Sequence, residues 1–141
     1  MNEIKLMKDA FSFLVENGYA VSTKKSNIEY YVTYSKFNKQ IVLSYDLRQH
    51  QFDVGIQDVK DSSNYTTYLP LLKIDVGDTI QKEKLIDTLN VLYHETEADW
   101  TISKKHFCGI VNAYAEFVKN NLSAIMIHFK NNQGGEQSGD G

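Results

Sequence analysis

The sequence predicts an α+β fold: an antiparallel sheet of about four strands, with an N-terminal helix before it and two C-terminal helices after it. Three observations carry this reading. Apolar residues recur at helical spacing from residue 3 to residue 16, alternate with polar ones between residues 28 and 56, and return to helical spacing after residue 78. The links between the alternating runs are only a few residues long, whereas a parallel crossover needs about a dozen or more, so neighbouring strands pair antiparallel. At 141 residues the chain suits one domain, here residues 1–130 followed by a tail.

Each element has its own signature. Ile4, Met7, Phe11, Leu14 and Val15 make one face of a helix over residues 3–16, and Asn17-Gly18 supplies its stop. Tyr19 and Val21 suggest a short strand before the turn Lys24-Lys25-Ser26-Asn27. Ile28, Tyr30, Val32 and Tyr34 then alternate, followed by Ile41, Leu43 and Tyr45, and by Phe52, Val54 and Ile56. Residues 58–64 are polar and read as a loop. Pro70 interrupts the strand-like run 65–72, which leaves an edge strand there at most, because proline cannot donate to a ladder.

The second half reads as helical. Asp78, with Gln81 three residues on, opens a helix whose Leu85, Ile86, Leu89, Leu92 and Tyr93 form a stripe ending near His94. Ser103 caps the last helix, in which Phe107, Ile110, Val111, Tyr114, Phe117, Val118, Leu122, Ile125, Met126 and Phe129 keep helical spacing. That helix either runs unbroken to about residue 130, as its periodicity favours, or stops at Asn120-Asn121 and releases residues 124–129 as a strand. The tail, residues 131–141, has no apolar side chain to offset its ordering entropy and is expected to be disordered.

Composition narrows the function. A hydrophobic fraction of 42% is that of a folded globule rather than a disordered chain. Cys108 is the single cysteine, so no intramolecular disulfide can form, which together with the lack of a signal-peptide pattern favours a cytoplasmic protein. No stretch approaches the roughly 20 apolar residues of a membrane span. Net charge is −3, but residues 46–99 carry 11 acids against 5 bases, −6, leaving +3 for the remainder. An acidic middle repels phosphate backbones and suits a basic partner, so nucleic-acid binding is disfavoured.

Chemical motifs are sparse. His94 with Glu97, or His94 and His106 around Asp99-Trp100, are the best metal candidates, and neither has the ligand density of a zinc site, so no metal or cofactor is expected. His106 lies two residues from Cys108 and points elsewhere on a helix, and Ser44, Asp46 and His50 carry triad residue types without a nucleophile elbow. Asp46 and Asp53 could approach across a hairpin as paired carboxylates, yet alternation makes them solvated charges by default. Glycine loops for phosphate are missing. The nine tyrosines stand out instead. Tyr30, Tyr34 and Tyr45 fall on the core-facing alternation, whereas Tyr31 shares the other face with Glu29, Thr33, Val42, Ser44 and Asp46. The candidate binding surface is therefore Tyr31 and Val42 as anchors, ringed by Glu29, Asp46 and Asp53, with Asp58 and Asp61 in the adjoining loop.

Three segments, Phe11-Ser12-Phe13-Leu14 through Asn17-Gly18-Tyr19, Ile41-Val42-Leu43-Ser44-Tyr45-Asp46-Leu47-Arg48 and Phe52-Asp53-Val54-Gly55-Ile56, carry a resemblance over the first half of the chain. It resembles small α+β proteins of Firmicutes, many of which look like polymorphic-toxin immunity proteins. The resemblance implies a non-enzymatic protein that binds and blocks a toxin, and the acidic middle of the chain suits a toxin with a basic domain. It carries no motif-defined functional residues across. A phage inhibitor of a host defence system would present the same features, and a small enzyme is the further alternative.

Overall fold

The computed structural model describes residues 1–59, 66–96 and 103–128. Five strands, β1 (Ala20–Lys25), β2 (Glu29–Lys36), β3 (Lys39–Asp46), β4 (Gln51–Val59) and β5 (Thr66–Pro70), form one antiparallel meander in chain order. That is one strand more than the alternation clearly marks. The additional strand is β5, which ends at Pro70; at a sheet edge the missing proline N–H interrupts no ladder.

Helices cover one face of this sheet. α1 (Glu3–Ala10) and α2 (Ser12–Glu16) precede it, α3 (Thr79–Thr96) and α4 (Lys104–Asn120) follow it, and residues 122–128 are helical again. Helical spacing runs through residues 3–16 as expected, but the helix breaks at Phe11, whose ring is fully buried between Phe13 and Tyr34. Asp78 caps α3 through a hydrogen bond from Gln81 N at 2.9 Å, and α3 runs to Thr96, beyond the expected end at His94. Ser103 caps α4, accepting from His106 N at 3.2 Å.

Neither reading of the C-terminal stretch holds whole. α4 stops at Asn121, and residues 122–128 resume as helix rather than strand. Asn121 is buried because it ties two helices together: its Oδ1 accepts from Asp78 N at 2.8 Å while its Nδ2 donates to Gln81 Oε1 and Phe117 O, each at 2.9 Å. The following turn of helix is held by Tyr19, whose hydroxyl meets Met126 Sδ at 2.8 Å. Phe129 and the tail of residues 131–141 lie outside the described residues.

Between the layers sits one core. Val32, Tyr34, Ile41, Leu43, Tyr45, Phe52, Val54 and Ile56 point from the sheet onto Met7, Phe11, Leu14, Phe107, Ile110, Tyr114 and Val118. Phe52 stands edge-on to Phe107 and Tyr114, with centroids 6.3 and 5.4 Å apart, an arrangement that aromatic quadrupoles favour. No helix is long and apolar enough to cross a membrane, among the described residues.

Where β5 stops short of β4, a side chain fills a gap in the sheet's hydrogen bonding. β5 pairs with β4 only from Gly55 to Val59, so the outer edge of β4 is bare at Phe52. Tyr93 of α3 covers it: its hydroxyl donates to Phe52 O at 3.2 Å and accepts from Phe52 N at 3.1 Å. A buried edge requires such a partner, since unpaired peptide groups cannot be left away from water.

Candidate functional site

Among the described residues no helix packs on the second face of the sheet. Alternation places Glu29, Tyr31 and Thr33 of β2, Val42 and Ser44 of β3, Asp53, Gly55 and Gln57 of β4, and Tyr68 of β5 on that side, opposite the core residues. Register sets their neighbours. Tyr31 stands opposite Ser44, which stands opposite Asp53; one row along, Thr33, Val42 and Gly55 are in line. All of these except Gly55, with Ser22, Thr23 and Lys24 of β1, line an open cleft of about 640 Å³, within the range of pre-formed binding sites.

Its floor depends on a glycine. A Cβ at Gly55 would collide with Cζ, Cε2 and the hydroxyl of Tyr68, so the Tyr68 ring reaches from β5 across the backbone of β4. The phenol end comes close enough to Ser44 and Asp53 to be acted on by both. Burial pushes the phenol up to about 12, the Asp53 charge adds to the rise, and the Ser44 side chain pulls it back. Val42, opposite Gly55 in the register, is 6% exposed, whereas Tyr68 remains 39% exposed. On the other wall the Tyr31 hydroxyl donates to the Glu29 carboxylate, and Gln57 Nε2 donates to Gln40 Oε1, which fixes the polar row beside Tyr68.

Asp53 is the chemically distinctive group. Burial pushes its carboxyl above the usual range, against the opposing effects of its bond from Val54 N at 2.9 Å, of Lys73 and of the Tyr114 hydroxyl. It lies where β5 no longer flanks β4, so Tyr114 and Tyr93 act on it, and it on them, from the helix side while the cleft opens on the other. Asp53 is thus half-buried rather than the fully solvated charge that alternation suggests.

The remaining expected site residues divide. Glu29, Tyr31, Val42 and Asp53 are brought together on the uncovered face. Asp46 shares that face but its Oδ1 accepts from Arg48 N at 2.8 Å and Gln49 N at 3.0 Å, so it shapes the β3–β4 turn, and these bonds hold its pKa below the usual carboxylate value. Asp58 is not in a loop: β4 extends to Val59, and alternation sends Asp58 to the helix side, opposite Lys39. Asp61 lies outside the described residues. Tyr68 is the member sequence reasoning missed, because Pro70 obscured the strand that carries it.

Other candidate chemistry is dispersed. His50 Nδ1 lies 3.0 Å from the Tyr45 hydroxyl, and Ser44 faces away from it into the cleft. His106 bridges Ser103 Oγ at 2.7 Å and Glu95 Oε2 at 2.6 Å, an arrangement that joins the facing ends of α3 and α4. Cys108 is half-buried on α4. Among the described residues no three His, Cys, Asp or Glu side chains converge as a metal site would need; Glu97 and Asp99 lie outside them. No protein-family profile matches the chain, and no curated protein and no solved structure matches it.

Proposed function

We propose that this protein is a non-enzymatic binding protein that blocks a protein partner with the uncovered face of its sheet, as an immunity-type inhibitor neutralises a toxin. One observation carries the reading: a half-exposed aromatic floor, Tyr68 and Tyr31 with Val42, shares one cleft with Glu29 and Asp53. Aromatic side chains in a partly desolvated centre supply most of the binding energy at interfaces, and surrounding charges mainly speed encounter. Val42 has little surface left to bury, so the anchoring role falls to Tyr31 and Tyr68. The acidic excess of residues 46–99 favours a basic partner in the cytoplasm.

Affinity capture from the native host, followed by co-expression with the protein recovered, tests the reading. Tyr31→Ala or Tyr68→Ala should each weaken the recovered complex by about 2 kcal/mol or more. If both leave affinity and association rate untouched, the face is not the binding surface. One observation favours a second reading: a carboxyl raised by burial beside phenols is also how acid–base catalysts are built. Turnover of a defined substrate that is lost in Asp53→Asn would establish it in place of the inhibitor.

A further inference from the structure

Tyr68 and Asp53 together have the shape of a receptor for one particular side chain. The ring crosses the bare backbone at Gly55 and still keeps 39% of its surface in solvent, so its outer face is open to a ligand. Asp53 stands beside the phenol end and acts on it electrostatically. Among the described residues Asp53 forms no ion pair: Lys73 acts on it only through space. Lys24, the cation lining the cleft, belongs to β1, three strands from β4.

We propose that the cleft receives an arginine side chain of the protein partner, its guanidinium stacked on Tyr68 and paired with Asp53. The inference rests on the reading of this face as the binding surface. A guanidinium is planar, carries its charge over a flat face that an aromatic ring attracts, and presents paired N–H donors to a carboxylate. The ammonium of lysine can satisfy the carboxylate but cannot stack. Ser44 and Gln57 line the same cleft and offer oxygens to the donors that Asp53 leaves over. Because Asp53 has already lost part of its hydration in the free protein, an arriving cation displaces less water from it than from an exposed acid.

The test uses the isotope-labelled full chain titrated with N-acetyl-arginine amide and, separately, with N-acetyl-lysine amide, followed by backbone amide shifts. Saturable shifts are expected at Ser44, Asp53, Val54, Gly55 and Tyr68 in the millimolar range, with arginine bound about fivefold more tightly than lysine. Asp53→Asn keeps the acceptor for Val54 N and should weaken arginine binding about tenfold; Tyr68→Leu should do the same, while Tyr68→Phe, which keeps the stacking face, stays within about twofold. No saturable shift by about 50 mM, equal binding of the two probes, or an unchanged Asp53→Asn overturns the proposal. If the probes fail while Tyr31→Ala still weakens the captured complex, the binding face stands and only its arginine is lost. If arginine binds as expected while the partner ignores every substitution on this face, the cleft serves a free guanidinium compound, and both the partner's arginine and the inhibitor reading fall.

Discussion

Removing one oxygen atom, in Tyr93→Phe, tests how the sheet is closed against the helices. The hydroxyl is the partner of both Phe52 N and Phe52 O on the stretch of β4 that β5 leaves bare, with bonds of 3.1 and 3.2 Å. Each lost bond costs about 1 kcal/mol where water can take its place and about 1–3 kcal/mol where it cannot. Phe52 is 1% exposed, so water has poor access, and the pair should cost about 2–3 kcal/mol. For a chain of this size that lowers the thermal midpoint by about 10 °C. Urea unfolding of parent and variant measures the difference, provided that the slope with denaturant is unchanged. Hydrogen exchange locates it: the Phe52 amide should lose protection while Leu43, in the middle of the sheet, changes only by the global loss. An unfolding free energy within about 0.5 kcal/mol of the parent, with the Phe52 amide still protected, would refute the assignment of Tyr93 as the cap of this edge.

Three further outcomes follow from the same geometry. Gly55→Ala should evict the Tyr68 ring from the cleft, so the Tyr68 amide shift and arginine binding change together while the fold survives, since the ring can swing into solvent; arginine affinity equal to the parent would show that the ring pose does not matter. Phe37→Gly should stabilise the protein by about 1 kcal/mol, because Phe37 sits at the β2–β3 turn with φ 58° and 91% exposure, a left-handed conformation that glycine adopts without strain; a loss of stability in urea would contradict this. Asp53→Asn should stabilise the protein at neutral pH and make little difference in acid. The folded-state pKa of Asp53 is raised, so its contribution is most favourable below the unfolded value and is lost as pH rises through the folded one. A variant no more stable than the parent at pH 7 would mean that burial does not penalise this charge.

Much of the fold was legible because periodicity is a direct image of burial. Tyr34, Tyr45, Phe52, Val54 and Ile56 alternate in the sequence and lie within 1% of full burial on the helix side. The caps at Asp78 and Ser103 were legible for a similarly local reason, since a side-chain oxygen and an amide a few residues on suffice to make them. What periodicity could not show were interruptions caused by distant partners. The break at Phe11 and the stop at Asn121 leave the apolar spacing intact, and the Asn121 stop depends on Asp78 and Gln81, about forty residues away in the chain. A stripe of hydrophobic residues records which face is buried, and it does not record where the backbone turns to bury it.

The site was less legible because its character comes from groups that a linear reading keeps apart. Tyr31 and Asp53 were visible as one alternation of β2 and β4, but the residue that joins them, Tyr68, lies on a strand that Pro70 disguised. Gly55 reads as a weak spot in a strand; its purpose is visible only once the ring that covers it is in place. Asp53 likewise reads as a solvent-facing acid until β5 ends short of it and Tyr93 and Tyr114 close in from the other layer. Within the free protein the bond from Val54 N, the Tyr114 hydroxyl and the Lys73 charge offset only part of the cost of that burial, since the pKa of Asp53 stays raised. A cation stacked on Tyr68 would both neutralise Asp53 and bury the ring face that the fold leaves open.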